Sequence, residues 1–275
     1  MKAKTKEILI KTRRRLFGQN IGNNISAFQG NGIDFAELKE YSYGDDVRKI
    51  NWNVTAREQK PYINVFNEER ELNIVLGLCV SGSLYFGSVR QKQEVAAEIL
   101  ALLGLSAIKN SDRVTTIFFD ELPVRRYKPT KSQNTIYAQV EDALSLEMLH
   151  KKSDLQAFAD YLLQTVKQRS IVVLVGDFKN EADLSFLGAK HELYIAMVRD
   201  RFEEDPSIEG VWSLQDPESA QVHTIDLDER ALERFRSEIR QLDAGWRSHF
   251  LKNRIGFTKI YTDEDPFIKL REMLK

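Results

Sequence analysis

The residue types in this chain that could do chemistry cluster after two runs of apolar residues. The run that begins at Asn73 ends in the turn Cys79-Val-Ser-Gly-Ser83, and the run that begins at Ile171 ends in Asp177. Such runs predict buried strands of a parallel sheet. Ligands bind at the carboxyl edge of open α/β sheets. These two strand ends are therefore the first places to look for function.

Sequence patterns of the common enzyme classes are not found at these residues. An activated cysteine needs a positive neighbour such as a protonated histidine, and no local pattern supplies one for Cys79. Neither Ser81 nor Ser83 has glycines two residues away on both sides, as a nucleophile elbow requires. The chain has no Gly-x-x-x-x-Gly-Lys-Ser/Thr loop, so it should not be an ATPase itself. We therefore predict a protein without enzymatic activity.

Two other sets of potential ligands have simpler interpretations. The adjacent acids Asp45 and Asp46 follow Gly44 and precede an apolar periodicity, so one is expected to cap a helix and the other to lie in its first turn. The alternative is a paired-carboxylate or metal site, which we favour less because no histidine lies nearby. The histidines of the chain lack the spacing of a zinc site. They are His150, His191, His223 and His249.

Apolar periodicity predicts alternating strands and helices from about residue 71 onward. This alternation implies right-handed crossovers in a mostly parallel sheet with helices on both faces. A short return strand at 124–128 adds an antiparallel edge strand. At about 201–226, Pro and Gly bound two short strand-like runs, which predicts an excursion beyond the sheet. We predict an N-terminal module over residues 1–70 and an α/β domain over residues 71–275.

Charge and apolar patterning limit the partners and the location. The 40 basic and 41 acidic residues nearly balance, which makes nucleic acid an unlikely partner. The basic stretch at 4–17 predicts an amphipathic helix that either packs on the domain or binds an anionic surface. A long Gly/Asn-rich loop is predicted at 18–32. Without a bilayer-spanning run or a second cysteine to pair with Cys79, we expect a cytoplasmic protein.

One segment resembles a known family. The passage Gly30-Asn-Gly-Ile-Asp-Phe-Ala-Glu-Leu-Lys-Glu-Tyr41, followed by Tyr43-Gly-Asp-Asp-Val-Arg-Lys-Ile-Asn-Trp52 and Thr55-Ala-Arg57, is similar to the signature of a bacterial family of unknown function. Members of that family carry a three-layer, Rossmann-like domain of the von Willebrand factor type A kind, and are often associated with MoxR-type AAA+ ATPases. The signature positions are Tyr43, Gly44, Asp45, Asp46, Arg48, Trp52 and Arg57.

The resemblance implies a metal-ion-dependent adhesion site at the sheet edge. Such a site uses an Asp-x-Ser-x-Ser loop, a Thr from a second loop and an Asp from a third to bind Mg²⁺. Ser81 and Ser83 match the first loop and Asp177 the third, while Thr130 and Thr135 both lie in the second-loop region. Cys79 stands where the leading Asp belongs. Because Mg²⁺ disfavours a soft thiol, the resemblance implies a degenerate site, and we expect no bound cofactor.

Three functions remain open. The leading one is a protein–protein interaction scaffold or co-chaperone-like adaptor for a MoxR-type ATPase and an unknown client, with a partner face formed by the loops after Val80, Lys128 and Gly176. The second is a metal-dependent adhesion module that binds Mg²⁺ despite Cys79. The third is a binder of nucleic acid or anionic surfaces through the basic N-terminus, which the near-zero net charge makes the weakest.

Overall fold

The computed structural model describes residues 3–17, 35–66, 71–208 and 210–274. These residues form two compact units: one contains the first helix and the chain from residue 73 onward, and the other contains the described part of residues 29–72. The Gly/Asn-rich loop predicted at 18–32 lies outside the described residues, as does the start of the signature at 30–34.

Helices and strands alternate along most of the described chain. The helices are α1 (Ala3–Phe17), α2 (Trp52–Glu58), α3 (Lys92–Lys109), α4 (Gln133–Ser145), α5 (Leu155–Thr165), α6 (Ser185–Lys190), α7 (Arg201–Glu204), α8 (Glu229–Lys252) and α9 (Pro266–Met273). The strands are β1 (Phe35–Glu40), β2 (Tyr62–Phe66), β3 (Asn73–Cys79), β4 (Arg113–Phe119), β5 (Pro123–Arg126), β6 (Ile171–Gly176), β7 (Glu192–Arg199), β8 (Gly210–Gln215), β9 (Val222–Leu227) and β10 (Gly256–Tyr261).

The larger unit is built on a six-stranded sheet of order β10-β7-β6-β3-β4-β5. Its strands pair in parallel except for β5, which runs antiparallel to β4 at one edge. Strands β3 and β6 are adjacent and buried along almost their whole length, as their unbroken apolar sequences predict. The prediction of a mostly parallel sheet with one antiparallel edge strand is confirmed.

Helices cover both faces of this sheet. Helix α3 contacts β3, β4, β6 and β7 on one face and is nearly all buried, because α1, α4 and α9 pack against it as well. The opposite face holds a core in which side chains of α5, α6 and α8 pack on strand residues such as Val75, Ile117 and Leu174. Alternate residues of each central strand therefore enter different cores.

Helix α1 is the basic N-terminal segment, and it packs on α3. Its buried face carries Thr5, Ile8, Leu9, Thr12 and Leu16. Ion pairs flank this face: Lys4 Nζ lies 3.0 Å from Glu94, and Lys11 Nζ lies 2.6 Å from the buried Glu98. The sequence prediction grouped this helix with the signature segment, whereas the structure places it against the sheet unit.

The smaller unit pairs β1 with β2 in an antiparallel ribbon. The sequence predicted one helix after the Asp45–Asp46 pair, but the structure has a 3₁₀ turn, Val47–Lys49, and then α2, whose start is capped by the Asn51 side chain. Asp46 caps the 3₁₀ turn by accepting the Arg48 backbone N–H at 3.0 Å. Asp45 instead accepts the Ser42 N–H at 2.8 Å and closes the turn before it.

The predicted excursion is an antiparallel hairpin, β8–β9, that forms its own two-stranded sheet. Its turn, Asp216-Pro-Glu-Ser219, is half-buried at Pro217 and Glu218, although most of both strands is exposed. The turn is therefore held against another part of the larger unit.

Candidate functional site at the carboxyl edge of the sheet

The two strand ends singled out from the sequence lie side by side. Strands β3 and β6 pair in register up to Leu78 and Val175, so Cys79 lies beside Gly176. A Cβ added to Gly176 would lie 2.8 Å from the Cβ of Cys79 and 3.3 Å from its Sγ. The glycine leaves the space that the thiol occupies, and the next residue is Asp177. The local sequence therefore sets a thiol and a carboxyl group next to each other.

The predicted serines and acid come together in a buried chain of hydrogen bonds. The Oγ atoms of Ser81 and Ser83 are 2.8 Å apart, and the Ser83 hydroxyl donates to Oδ2 of Asp177. All three side chains are buried. Their polar groups are directed at one another rather than at solvent.

A buried cation, Lys92, completes this cluster, and sequence reasoning missed it. Its ammonium is fully buried; Nζ lies 3.6 Å from Oδ2 of Asp177 and 2.8 Å from both carboxylate oxygens of Glu203. Lys179 Nζ lies 2.9 Å from Glu203 as well. The serines follow β3, Asp177 follows β6, and Glu203 lies in α7, which follows β7, so the cluster joins the ends of three strands. Lys92 itself is the first residue of α3. Nothing in the local sequence of Lys92 marks it, because its partners are far away along the chain.

Burial and charge act in opposite directions on this cluster. Burial would raise the pKa of Asp177, but Lys92 and Lys179 hold it below its ordinary value. Burial lowers the pKa of Lys92, and its carboxylate neighbours offset that effect only in part. A buried charge is stable only when it is paired and hydrogen-bonded, and each carboxylate here contacts an ammonium.

Cys79 is an uncharged thiol in this setting. Burial, and then the charge of Asp177, raise its pKa to about 12. The cavity that Cys79 lines with Asp177, Ser153 and Lys179 has a volume of about 10 Å³, which is the space of about one water molecule. The arrangement does not provide the activated thiolate of a cysteine nucleophile.

The two threonines considered as metal ligands do not lie at this edge. Thr130 pairs with Val114 near the start of β4, whereas Cys79 lies opposite Phe119 at its end. Five residues of strand separate the two positions, or about 16 Å at 3.3 Å per residue. Thr135 belongs to the first turn of α4, close to Thr130 in sequence. The loop after Lys128 is therefore wrong as the second loop of this site.

The loop between α4 and α5, residues 146–154, takes that place. Its Lys151 carbonyl accepts the N–H of Gly82 at 2.8 Å, and its Ser153 hydrogen-bonds the Cys79 thiol. The Asp154 N–H donates to the carbonyl of Asp120 at the end of β4. A hydroxyl is thus present beside Cys79, but it comes from a loop that no sequence pattern singled out.

The turn of the β8–β9 hairpin covers the serine loop. The Pro217 carbonyl accepts the N–H of His150 at 2.8 Å, and a Cβ on Gly82 would collide with that same carbonyl. The next residue, Glu218, has a raised pKa, first because of its burial and then because of the charge of Asp177. A carboxyl group of the hairpin therefore faces the buried cluster.

Exposed apolar side chains lie on three segments near the covered loop. They lie on the connection between the serine turn and α3, on the β4–β5 turn and on the 146–154 loop, which are all at the carboxyl edge. The exposed side chains are Val89, Leu122 and Leu149. We call these three residues the apolar rim.

The donor set at this edge does not fit a Mg²⁺ ion. Mg²⁺ requires a near-octahedral shell of oxygen ligands. Here the leading ligand position holds an uncharged thiol, an ammonium lies 3.6 Å from the remaining carboxylate, and the nearby cavity holds about one water. Among the residues that the structure describes, no group of three or more His, Cys, Asp or Glu side chains could hold a metal.

Comparison with known proteins decides the family. The sequence pattern of the family described as protein of unknown function DUF58 matches residues 37–245, which is more than half of the chain. The chain belongs to this family. The DUF58 match covers part of the signature segment and all of the carboxyl-edge cluster, so these two features belong to one family pattern.

The DUF58 chain is similar to several proteins. An uncharacterized protein of Mycobacterium tuberculosis strain H37Rv is 26% identical over 233 residues, which cover 82% of this chain and 73% of the relative. A solved structure of the conserved hypothetical protein BatB from Bacteroides thetaiotaomicron gives a TM-score of 0.47 at 12% identity, over 74% of this chain and 95% of that one. An aerotolerance-related membrane protein from Bacteroides fragilis gives a TM-score of 0.41 at 14% identity, over 66% and 98%.

These comparisons correct the prediction of location. A cytoplasmic protein was expected, but a structure similar to the DUF58 chain is described as a membrane protein, which contradicts that expectation. Among the described residues, no helix is both long and apolar enough to cross a bilayer. That finding does not by itself place a protein in the cytoplasm. We therefore withdraw the prediction and assign no location.

The DUF58 signature residues lie in the smaller unit, and they form no metal cluster among the described residues. Gly44 adopts a φ of +106°, which glycine tolerates, and Arg48 binds both oxygens of Asp46 at 3.1 and 3.2 Å. Tyr43 and Trp52 are exposed. Arg57 lies in the last turn of α2. The acids of the signature act in turns and caps in this structure.

Proposed function

We propose that this DUF58 protein is a non-enzymatic interaction module with a von Willebrand factor A-like architecture. We further propose that it acts as an adaptor or co-chaperone with a MoxR-type AAA+ ATPase. The central position of β3 in the sheet, the antiparallel edge strand β5 and the helices on both faces support the architecture. The ATPase partner is proposed from the resemblance of the signature segment, part of which lies within the DUF58 match.

The observation that carries the proposal is the carboxyl edge itself. Its hydroxyl and carboxyl groups are buried and bonded to each other, while three apolar side chains of the same edge, the apolar rim, are exposed. A catalytic site presents its reactive groups to a substrate, whereas these groups are withdrawn. Exposed apolar side chains grouped at one place are typical of a surface that binds protein. The cavity at the cluster is also far smaller than the 300–1,000 Å³ usual for small-molecule sites.

The alternative functions receive less support. Metal-dependent adhesion would need the oxygen shell that the cluster lacks. Binding of nucleic acid through the N-terminus would need free positive charge. Lys4, Lys11 and Arg15 of α1 are ion-paired with Glu94, Glu98 and Asp265, which leaves the exposed Lys6, Arg13 and Arg14 among the described basic residues of this helix. Helix α1 is thus supported as a structural element.

Co-purification with a MoxR-type ATPase of the same organism tests the proposal. The ATPase should be presented without nucleotide, with ADP and with a non-hydrolysable ATP analogue, because AAA+ proteins change conformation with nucleotide. We expect retention of the DUF58 protein in at least one of these states. Absence of binding in all three states would refute the ATPase partnership.

A further inference from the structure

The full burial of the Lys92 ammonium is the most demanding feature of the larger unit. Transfer of a lone ammonium ion from water to a protein interior costs several kcal/mol even after relaxation. The chain offsets this cost with two carboxylates, because Glu203 binds Nζ through both oxygens at 2.8 Å and Asp177 lies 3.6 Å away. A cation at this place is therefore part of the fold.

This cation lies against the acid that the family resemblance assigns to the metal. Asp177 follows β6 and accepts the Ser83 hydroxyl, so the serines and the acid of the expected metal loop are all present and connected. The positive charge that they face belongs to a side chain at the start of α3. The disagreement between the expected Mg²⁺ site and the observed donor set is therefore not only the replacement of an Asp by Cys79.

We propose that the Lys92 ammonium is a built-in cation that replaces the divalent metal at the carboxyl edge of the sheet. The proposal rests on the von Willebrand A-like interpretation of this edge and is independent of the ATPase partner. A tethered ammonium keeps the loop assembled whether or not divalent ions are present. It also means that the partner face has no open metal coordination position to offer to an acidic group of a partner.

The charge balance of the cluster agrees with a resident cation. In the ion-paired part of the cluster, Asp177 and Glu203 contribute two negative charges, and Lys92 and Lys179 contribute two positive charges. The Glu218 carboxyl group of the hairpin faces the same cluster. A Mg²⁺ ion bound to Asp177 would lie within a few ångströms of an ammonium, and the two charges would repel each other. Cys79 fits this balance, because an Asp at its position would add a further negative charge beside Asp177. An uncharged residue at 79 and a lysine at 92 are thus two parts of one replacement.

Restoring the acid alone should therefore not restore metal binding. Four proteins form the test: the unaltered chain, Cys79→Asp, Lys92→Met, and the double variant. Each is melted in EDTA and in millimolar Mg²⁺ or Mn²⁺, and Mn²⁺ binding is measured directly by calorimetry. Metal that binds the folded state raises the melting midpoint by mass action.

We expect no midpoint shift and no Mn²⁺ binding for the unaltered chain and for Cys79→Asp. Lys92→Met should melt at a lower temperature in EDTA, because it leaves two carboxylates without their buried cation. The double variant should bind Mn²⁺ and regain part of the lost midpoint. Binding of either metal by the unaltered chain or by Cys79→Asp overturns the proposal, as does a folded double variant that binds no metal.

A charge-preserving variant guards against failure of folding. Lys92→Arg keeps a cation at the cluster, so we expect it to fold and to bind no metal. Folding of the double variant only when Mn²⁺ is present would support the proposal. If the Lys92→Met variants cannot be folded, Mn²⁺ calorimetry on Cys79→Asp decides, since metal binding by that protein refutes the replacement. No ATPase is used, so failure in this test leaves the partner proposal standing.

Discussion

Substitution of Gly82 by Ala should release the turn of the β8–β9 hairpin from the serine loop. The Cβ of an alanine would collide with the carbonyl of Pro217, which is backbone and cannot rotate away as a side chain could. Either the loop or the hairpin turn must move. The loop is fixed by the hydrogen bond from Gly82 N–H to Lys151 and by the buried serines, whereas most of the hairpin is exposed. We therefore expect the hairpin to move.

The expected change in free energy depends on whether the protein keeps the contact between the added Cβ and Pro217 or releases the hairpin turn. Retaining the contact means overpacking, which typically costs about 1–3 kcal/mol. Releasing the turn breaks the hydrogen bond from His150 N–H to Pro217, worth about 1 kcal/mol net. Release is the cheaper response because β8 and β9 stay paired with each other. A change of about 1 kcal/mol corresponds to roughly a fivefold change in the opening equilibrium.

Amide hydrogen exchange at His150 measures this directly. We expect exchange in Gly82→Ala to be at least about fivefold faster than in the unaltered chain, since the amide loses its acceptor. Gly245→Ala is the matched control: no atom lies within 4 Å of the added Cβ, and the residue is exposed inside helix α8. That change should stabilise the helix by about 1 kcal/mol and leave His150 unaffected. Unchanged exchange at His150 in Gly82→Ala would refute the docking of the hairpin.

Three further predictions concern the helix, the thiol and the hairpin carboxyl group. Leu9→Ala truncates a side chain that is 3% exposed and should lower the free energy of unfolding, measured in urea, by about 2–5 kcal/mol. Ile10→Ala truncates a neighbouring side chain that is 42% exposed and should lower it by less than about 0.5 kcal/mol. Equal effects of the two variants would mean that α1 is not docked. Cys79, with its pKa raised to about 12, should resist thiol reagents at pH 8 until the protein is unfolded, and rapid labelling of the folded protein would contradict its burial. Because the folded state raises the pKa of Glu218, its contribution to stability is present below the ordinary value of 4.5 and is lost as pH rises through the raised pKa. Protection of His150, corrected for intrinsic exchange, should therefore fall over that pH range and should not fall in Glu218→Gln.

The sheet was predictable because its signals are local. The unbroken apolar sequences of β3 and β6 mark strands buried on both faces, and the polar turn after β3 marks the edge where they end. Strand β1, by contrast, was not anticipated. Half of its sequence, Phe-Ala-Glu-Leu-Lys-Glu, is charged, and its pairing with β2 lies beyond what periodicity shows.

The site was predictable only in part because it is assembled by contacts distant in sequence. Ser81, Ser83 and Asp177 follow strands that are neighbours in the sheet, so their meeting follows from topology. Lys92 and Glu203 have no local signature, since each acquires its role from residues about 85 to 111 positions away. Thr130 was misplaced because β5 returns the chain to the opposite edge before α4 begins.

The same limitation hid the covering of the loop. The excursion itself could be identified from Pro and Gly around two short strand-like runs, and in the structure these two runs pair as the β8–β9 hairpin. The contacts of the Pro217 carbonyl with His150 and Gly82 depend on the orientation of the whole hairpin. Sequence patterns contain no information of that kind.

The most direct test of the proposed function is the affinity of the chain for the MoxR-type ATPase when the apolar rim is altered. Leu122→Asp places a charge on a rim side chain that is 71% exposed. The control, Leu251→Asp, places the same charge on a side chain that is 64% exposed at the end of α8, just before β10 begins at the amino edge of the sheet. We predict that the dissociation constant rises at least about tenfold for Leu122→Asp, the effect of losing about 1.4 kcal/mol of binding free energy, and is unchanged for Leu251→Asp. Equal affinities for both variants would contradict the claim that the carboxyl edge is the partner surface.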